Sequence, residues 1–473
     1  MKIAFNFLSI LMFLSSIGSW QQVHAQNKKK SPNFIFILSD DQGWNGTSVQ
    51  MMNNEPLSKS DYYETPNLVK LANRGMRFSN GYAPAAECAP SRYSLQYGQT
   101  PARLQMVRVY MNTDHINHGN MLTIPKMLKQ INPAYQAAHF GKWNINAKPE
   151  VLGYDESDGL TDNADGDFAG KDKWNEFKIS DDPKNIFSVT KRSTDFITRQ
   201  VKAGKPFYLQ VSHYAIHADF VMRQQTLDKY KAKKPGTVHE NAYLAAMTED
   251  LDASVGMLMD KVKELGIEGE TYIIYLADNG AVAKVPPYAP YINSYNYPLS
   301  RGKMDLTEGG IRVPFIVAGP GIKAGSESKV PVVGYDILPT LASLTGFTGK
   351  LSENLDGGSF KDILTHAGKG SVKRNEEALY FHIPQVNLRE LNRAHSVARQ
   401  GNYKLLKFAD NGELWLFDLD KDIQEKNNLA SQMPQKAKQL ESLLDNYLVK
   451  VHAPKWKKGI NWTKSFKEQD SVY

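Results

Sequence analysis

Residues 33–44 read NFIFILSDDQGW, a continuous apolar run that stops abruptly at a serine and two aspartates. Runs of the same form recur at PFYLQVS (206–212), TYIIYLADNG (271–280) and PFIVAGPG (314–321). Helical patterns lie between them, among them residues 67–76 and the long stretch 241–265. Apolar strands that alternate with amphipathic helices predict an α/β fold, with a mostly parallel sheet covered by helices on both faces.

The last hundred residues have a different pattern. Residues 396–408 and 413–419 alternate in the manner of antiparallel strands around a turn, and residues 435–451 have the pattern of an amphipathic helix. We therefore expect a large domain at residues 26–376 and a smaller α+β subdomain at residues 377–473.

The first 25 residues predict export. Lys2 precedes an apolar run that ends near Trp20, and residues 23–25 are of the type that a signal peptidase reads. A signal peptide of residues 1–25 is the expected interpretation, and a retained membrane anchor is the alternative. No later stretch approaches about 20 apolar residues, so we expect no membrane partner after cleavage. The mature protein is expected to be periplasmic or secreted.

Composition limits the possible partners. The chain has 473 residues, 41% of them hydrophobic and 23% charged, with a formal net charge of +7. These proportions are typical of a globular protein. The positive excess is mild and no nucleic-acid-binding module is evident, so nucleic acid is not an expected partner. The single cysteine, Cys88, cannot form an intramolecular disulfide, and on composition alone a buried structural thiol is its simplest interpretation.

Two pairs of polar residues follow predicted strands and suggest a metal site. Asp40 and Asp41 follow the first strand, and Asp278 and Asn279 follow a later one. Because functional groups collect beyond the carboxyl ends of parallel strands, the two pairs are expected to meet. Two carboxylates about 4 Å apart repel by roughly 4 kcal/mol at an effective dielectric near 20, so a cation is expected between them. Oxygen ligands suit Ca²⁺ or Mg²⁺, although each pair taken singly is also common in turns.

Several basic side chains complement these acids. Arg92 lies four residues after the cysteine, Lys142 lies in FGKWNI and Lys303 in RGKMDL, while His213 and His217 lie in SHYAIHADF. A divalent ion surrounded by cationic side chains forms a pocket for a tetrahedral oxyanion. Each lysine or arginine taken singly is more simply interpreted as a solvated surface charge.

The stretch CAPSR at residues 88–92 resembles the C-x-P-S-R signature of type I sulfatases. The resemblance implies an alkaline-phosphatase-like α/β/α sandwich with a large mixed, mostly parallel sheet in a catalytic domain at residues 26–376, followed by the C-terminal α+β subdomain with an antiparallel sheet. The implied activity is hydrolysis of sulfate esters. Further blocks that resemble this family follow one another in its order, at NFIFILSDDQGW, FGKWNI, SHYAIHA, YLADNG and RGKMDLTEGGIRVP.

The resemblance also implies a modified nucleophile. In sulfatases the motif cysteine is oxidised to Cα-formylglycine, here by a formylglycine-generating or radical maturation enzyme that acts on Cys88. The hydrated aldehyde attacks the ester with one hydroxyl and releases sulfate with the other, which a thiolate could not do. By the same resemblance Ca²⁺, with Mg²⁺ less favoured, binds Asp40, Asp41, Asp278, Asn279 and the oxidised residue 88.

Roles for the basic residues follow from the same resemblance. Arg92 would hold the nucleophile and the carboxylates in place, and Lys142 and Lys303 would contact sulfate oxygens. His217 would be the general acid, with Lys303 as the alternative.

Two positions depart from the family pattern. Asn144 stands where the family usually has a histidine, and asparagine can donate or accept a hydrogen bond but cannot titrate. Base catalysis would then move to another group, with His139 or His213 as candidates. The segment SHYAIHADF also lacks the prolines that usually flank the histidine.

The expected substrate is a sulfated carbohydrate, either a marine polysaccharide or a glycosaminoglycan fragment. A tyrosine-rich loop at residues 284–298 and basic residues near the start of the smaller subdomain are of the kind that line a sugar-binding pocket. The candidate substrate-binding residues are Asn144, His213, Tyr291, His382 and Arg393, with Arg389 and His395 nearby in sequence.

Two other functions remain open at this point. One is a phosphonate or phosphodiester hydrolase of the same superfamily, since the same cations and metal site would serve phosphorus. The other is a sulfated-glycan-binding protein that has lost catalysis, for which Asn144 would be the first sign.

Overall fold

An eight-stranded mixed sheet forms the centre of the protein. The structure is a computed structural model that describes Met1 and residues 31–168, 177–283, 295–386 and 391–455. The strands of this sheet are β1 (Asn33–Ser39), β2 (Met76–Phe78), β4 (Gln136–Gly141), β5 (Glu156–Ser157), β7 (Phe207–Ser212), β9 (Thr271–Ala277), β10 (Phe315–Ala318) and β11 (Ser326–Ser328). Their order is β11-β2-β10-β9-β1-β7-β4-β5. The predicted signal peptide, apart from Met1, lies outside the described residues, and so do Tyr291 and Arg389.

The middle of the sheet is parallel, as predicted. Strand β1 lies between β7 and β9, with Phe34 opposite Tyr208 on one side and Tyr272 on the other. Strand β10 differs, because it runs antiparallel to both β9 and β2. Ser39 is in register with Ala277, so the polar residues that follow β1 and β9 leave the sheet side by side.

Helices cover both faces of the sheet. Phe34, Phe36 and Leu38 of β1 point into one apolar core, and Ile35 and Ile37 point into the other. This strict alternation in a fully buried strand is the signature of a sheet between two helical layers. One layer consists of α1 (Pro66–Arg74), α4 (Ile186–Lys202) and α6 (Ala242–Glu264). The other consists of α2 (Cys88–Tyr97), α3 (Ile124–Ile131), α8 (Ile337–Thr345) and α9 (Lys361–Thr365).

Two short ribbons, two further α-helices and several 3-10 turns also lie in this part of the chain. The ribbons pair β3 (Gly81–Tyr82) with β12 (Val332–Val333), and β6 (Phe177–Ile179) with β8 (Phe220–Met222). The helices are α5 (Gln224–Ala232) and α7 (Glu308–Ile311). Helix α1 ends at Arg74 rather than near residue 76 as predicted, because Gly75 follows it and Met76 already begins β2.

The C-terminal region forms a four-stranded antiparallel sheet in the order β13 (Leu379–Ile383), β14 (His395–Gln400), β15 (Tyr403–Phe408) and β16 (Leu414–Asp418). Helix α10 (Pro434–Lys450) packs on one face of it, and the other face packs against residues of the large part, including Tyr82 and Ile311. The described residues from Ser31 onward form one compact unit, and the boundary at residue 376 stays a prediction. Within the described residues, no helix has the length and apolar character to cross a membrane.

Candidate active site

The acidic residues predicted to bind a metal lie together at the carboxyl end of the sheet. Oxygen atoms of Asp40, Asp41 and Asp278 all lie within 4.8 Å of one another, and the three side chains are buried. Strands β1 and β9 bring them together because they are parallel neighbours that end in register. Asp41 has a left-handed backbone (φ 57°), and its amide donates to Asp278 Oδ1 at 3.2 Å. The two pairs of the sequence thus form one cluster.

Each carboxylate of the cluster has its own cation. Arg92 donates from Nε to Asp278 Oδ2 at 2.9 Å. Lys142 pairs with Asp40 Oδ2, and Lys303 lies 2.6 Å from Asp41 Oδ1. A buried charge without a partner would be strongly destabilising, so this pairing makes the cluster tolerable in the protein interior.

Positive charge is not distributed evenly over the cluster. Burial would raise the pKa of Asp41, but Lys303, His217 and Lys142 outweigh it and hold that pKa well below its ordinary value. Burial and the neighbouring Asp40 carboxylate instead raise the pKa of Asp278 to about 6, against the opposing effect of Arg92. The cluster therefore has capacity for a further cation.

The cluster also has oxygen atoms available for such a cation. Asp40 Oδ1 and Asn279 Oδ1 are buried and have no hydrogen-bond partner among the described residues. The Asn279 side chain is oriented by its own amide, which donates to Asp41 Oδ1 at 2.8 Å. Carboxylate and amide oxygens are ligands that hard divalent ions prefer. The donor set thus fits Ca²⁺ or Mg²⁺.

Cys88 is the first residue of α2, beside this cluster. It is 2% exposed, and burial raises the pKa of its thiol, although Lys142 and Lys303 act in the opposite direction. Because the thiolate is the reactive form of cysteine, an unmodified Cys88 is a poor nucleophile.

Asn144 contacts this sulfur directly, with its Nδ2 at 3.4 Å from Cys88 Sγ. It has a left-handed backbone (φ 56°), a conformation that asparagine adopts more readily than most residues. Its backbone N–H donates to Thr161 O at 2.8 Å, which fixes the turn after β4. The structure thus places Asn144 at the predicted nucleophile.

His217 faces the cluster from the connection between β7 and β8. Its Nε2 lies 3.8 Å from Asp41 Oδ2, and its Nδ1 lies 2.8 Å from the carbonyl of Ala218. A carbonyl can only accept, so Nδ1 carries a proton and Nε2 is the atom directed to the site. Burial, followed by the charge of Lys303, lowers the pKa of His217 to about 4.

The two alternative histidines have other partners. His139 Nε2 lies 3.0 Å from Ser212 Oγ, and His213 Nε2 lies 3.0 Å from Ser254 Oγ on α6. Burial lowers the pKa of His139 to about 3 and that of His213 to about 4. Their hydrogen bonds link secondary-structure elements rather than reaching the carboxylate cluster.

The substrate candidates of the smaller subdomain are also engaged elsewhere. His382 lies between Ser396 Oγ at 2.7 Å and the carbonyl of Pro454 at 2.6 Å. Arg393 forms ion pairs of 2.8 Å with Asp410 and Glu413. These contacts hold the antiparallel sheet and its turns, so a role of these residues in substrate binding stays a prediction.

His395 supports the segment that carries Lys303. Its Nε2 accepts the amide proton of Leu306 at 2.9 Å, and its Nδ1 donates to Arg393 O at 2.6 Å. The smaller subdomain thus reaches the segment that carries a site lysine, through backbone hydrogen bonding.

A buried network of charges, which no sequence pattern predicted, reinforces this connection. Glu308 accepts from Tyr82 at 2.7 Å and pairs with Arg312 at 2.6 Å and with Lys404 of β15 at 2.8 Å. Lys404 also pairs with Glu425 at 2.8 Å. All of these side chains are buried. The only signal in the sequence was the position of Glu308 and Arg312 inside the block RGKMDLTEGGIRVP.

Two family models match the chain. The Sulfatase model matches residues 32–347, and the model for the C-terminal region of N-sulphoglucosamine sulphohydrolase matches residues 302–454. A protein named "Sulfatase" from Formosa agariphila is 25% identical, over 91% of this chain and 91% of its own. The N-acetylgalactosamine-6-sulfatase of Mus musculus is 29% identical, over 77% of this chain and 70% of its own.

Solved structures share the fold. Ps i-CgsB superposes with a TM-score of 0.72 at 22% identity, covering 90% of this chain and 95% of that one. BT4656, solved with its substrate D-glucosamine-2-N,6-O-disulfate, superposes with a TM-score of 0.68 at 20% identity. The match covers 89% of this chain and 98% of that one. The phosphonate monoester hydrolase of Agrobacterium radiobacter has a TM-score of 0.63 at 16% identity. The match covers 89% of this chain and 95% of that one.

Proposed function

The chain belongs to the sulfatase family and is a sulfuric ester hydrolase, and we propose that it removes sulfate from a sulfated carbohydrate with formylglycine at position 88. The observation that carries this proposal is the meeting of Cys88, the carboxylate cluster and the two lysines on one rim of the sheet. Two relatives act on sulfated amino sugars according to their names. We therefore propose a glycosaminoglycan fragment or a marine polysaccharide as the substrate.

Asp40, Asp41, Asp278 and Asn279 would hold the divalent ion, which we propose to be Ca²⁺. Three carboxylates and one amide provide oxygen ligands only, and two of their oxygen atoms have no other partner among the described residues. Such an ion lowers the pKa of a coordinated hydroxyl and offsets negative charge when it is bound.

Lys142 and Lys303 would bind the oxygens of the sulfate group. Both ammonium groups reach the cluster, and their charges also act on the Cys88 thiol, so they face the position of the nucleophile. Cationic donors fixed at this position stabilise the charge that develops on sulfate oxygens during transfer. Arg92 is held by Asp278, and we propose that it keeps the acidic residues in place rather than contacting substrate.

His217 would protonate the oxygen of the leaving sugar through Nε2 in its doubly protonated form. Burial and Lys303 oppose that form, and the negative charge of a bound sulfate ester would favour it. The alternative donor, Lys303, is less suited, because Asp41 raises the pKa of its ammonium group against the effect of burial. A group whose pKa is raised holds its proton more tightly, so Lys303 is better suited to act as a fixed cation.

Asn144 would orient the nucleophile without exchanging a proton. Its amide reaches the atom at position 88, and an amide does not titrate near neutral pH. Formylglycine, as its hydrate, supplies one hydroxyl for attack and one for release of sulfate.

The test of the modification is mass spectrometry of the peptide that contains Cys88, from protein produced with a maturation enzyme. Conversion of the thiol to the aldehyde lowers the mass by about 18 Da. Release of sulfate from sulfated sugars by converted protein, and none by a Cys88→Ala variant, is the expected result. Only unmodified cysteine, with a control sulfatase converted in the same cells, would count against formylglycine.

A phosphonate or phosphodiester hydrolase is the second candidate, since the fold is shared with a phosphonate monoester hydrolase. Turnover of paired aryl sulfate and aryl phosphodiester substrates separates the two. Binding of sulfated oligosaccharide by converted protein without sulfate release would instead support a glycan-binding protein. The predicted signal peptide further leads us to propose a periplasmic or secreted enzyme.

A further inference from the structure

Lys184 is a buried lysine whose ammonium group has no hydrogen-bond partner among the described residues. The residue is 1% exposed. Lysine is rarely fully buried unless it is paired, and transferring an unpaired charged group out of water costs free energy. The residue also has a left-handed backbone (φ 52°), which is uncommon for lysine and more frequent at functional sites. These features together identify a buried ammonium group that has no hydrogen-bond acceptor among the described residues.

Lys184 lies on the side of the site that carries His217. It belongs to a short 3-10 turn, Pro183–Asn185, which precedes α4 and packs against β8. Strand β8 begins three residues after His217. The next residue, Asn185, donates from Nδ2 to Asp165 O at 2.6 Å. The segment after Asp165 leads to Phe168, whose ring lies edge-on to the His217 ring at 5.1 Å.

The charges around Lys184 include those of the active site. The carboxylates of Asp219, Asp167 and Asp40 favour the charged form of its ammonium group and Lys142 opposes it, so one carboxylate of the cluster, Asp40, is among its charged neighbours. Two of these carboxylates already have cations of their own, because Asp167 pairs with Lys178 at 2.8 Å and Asp40 pairs with Lys142. Burial lowers the pKa of Lys184 to about 8, so the group is mainly protonated at neutral pH.

We propose that Lys184 binds an oxyanion of the substrate on the His217 side of the pocket. The inference rests on the proposed function and extends it with a third lysine beside Lys142 and Lys303. The oxyanion is either the sulfate that is cleaved or a second sulfate or carboxylate on the same sugar chain. Both sources share the chemistry that an ammonium group recognises.

The test compares Lys184→Met with wild type and with Lys191→Met, which removes an exposed lysine of α4 paired with Asp195. The first measurement is the increase in Tm caused by inorganic sulfate, which needs no turnover. If the cleaved sulfate is the ligand, Lys184→Met binds inorganic sulfate about tenfold more weakly and shows a similar rise in KM for p-nitrophenyl sulfate. Lys191→Met behaves as wild type.

The second arm uses sugars that differ by one sulfate. If a second anionic group is the ligand, the preference for N-acetylgalactosamine 4,6-disulfate over the 6-sulfate, measured by binding or kcat/KM, falls about tenfold in Lys184→Met. Without ligand, Lys184→Met keeps or raises Tm, because it removes an unpaired buried charge. If the Lys184→Met variant does not fold, Lys184→Gln is measured in the same way.

Identical behaviour of the three proteins toward all of these ligands overturns the proposal. A lower Tm of Lys184→Met with unchanged ligand binding also overturns it, because the lysine is then structural. Should wild type bind sulfate through Lys184 yet release none from any ester, the inference about Lys184 stands and the proposed function fails.

Discussion

The amide of Asn144 and the sulfur of Cys88 lie 3.4 Å apart, although one residue follows β4 and the other begins α2. A donor that cannot titrate therefore sits at the atom proposed to become the nucleophile. The positive φ of Asn144 directs its side chain there, and few other residues adopt that conformation without strain.

The first prediction concerns this contact. Asn144→Ala should lower kcat about tenfold or more, because the variant removes a fixed donor at the reacting group. Asn144→His should keep more activity than the alanine variant, since histidine supplies a donor and tolerates a left-handed backbone better than most residues. Steady-state kinetics on converted protein provide the measurement, with the exposed Asn354→Ala as control. Wild-type kcat in Asn144→Ala would show that the contact has no role.

The second prediction concerns the metal. Removal of divalent ions by a chelator should abolish sulfate release and lower Tm, because the ion stabilises only the folded state. Added Ca²⁺ should restore both. Asp278→Asn should lose most of the Ca²⁺-dependent rise in Tm, whereas Asp362→Asn on the short helix α9, away from the cluster, should keep it. An equal rise in both variants would place the ion elsewhere.

The third prediction concerns the proton donor. His217→Ala should lower kcat for a sugar sulfate by about 10²-fold or more, because the alcohol leaves poorly without a proton. The loss should be smaller for p-nitrophenyl sulfate, whose leaving group needs no acid. The exposed His366→Ala should match wild type on both substrates. Equal losses on the two substrates would indicate that His217 positions sulfate instead.

The fourth prediction concerns Lys303. Lys303→Met should lower kcat about 10²–10³-fold, as expected when one fixed donor to a developing oxyanion is lost. The exposed Lys421→Met should have no effect. Lys303 also neutralises Asp41, so the variant should bind Ca²⁺ no less tightly than wild type, which Ca²⁺-dependent Tm can measure. Weaker Ca²⁺ binding in the variant would contradict this assignment.

The fifth prediction concerns the buried network. Glu308→Gln should lower the free energy of unfolding by about 3–5 kcal/mol, because Arg312 would lose its charged partner while still buried and Lys404 would keep only Glu425. The exposed pair of Lys350 and Glu353 gives a control, and Lys350→Met should change stability by less than about 1 kcal/mol. Denaturant unfolding at neutral pH measures both.

The same network predicts a pH dependence. Burial would raise the pKa of Glu308, but Lys404, Arg312 and Arg399 hold it well below its ordinary value of 4.5. A lowered pKa in the folded protein means that the stabilisation is complete above pH 4.5 and is lost as the pH falls further. The difference in unfolding free energy between wild type and Glu308→Gln should therefore narrow below that pH. If the difference in unfolding free energy between the two proteins stayed constant below pH 4.5, the assignment of a lowered pKa to Glu308 would be wrong.

The sequence predicted the parts of the site that depend on strand ends. Asp40 and Asp278 were predicted to meet because an apolar run followed by an acid shows where a buried parallel strand stops, and that holds in the structure. The antiparallel direction of β10 was not predictable, since direction depends on pairing and not on composition.

Residues whose roles depend on long-range contacts were less predictable. Sequence position alone suggested His213 and Arg393 for substrate binding, and this role stays a prediction. The structure adds contacts that no local pattern indicated, because His213 hydrogen-bonds to α6 and Arg393 pairs with Asp410 and Glu413. Lys184 belongs to no motif, and only its burial next to the His217 segment draws attention to it. Neighbours of this kind come from tertiary packing, which a local pattern does not encode.

If Cys88 is converted to formylglycine, as proposed above, its burial determines when the conversion can take place. With 2% of its surface exposed, this residue is closed to another macromolecule once the sheet and α2 have packed. A maturation enzyme would therefore have to act on the nascent or unfolded chain, and rapid folding would compete with it. The yield of active enzyme would then be decided during synthesis, and protein that folds too early would remain an inert thiol form for its whole lifetime.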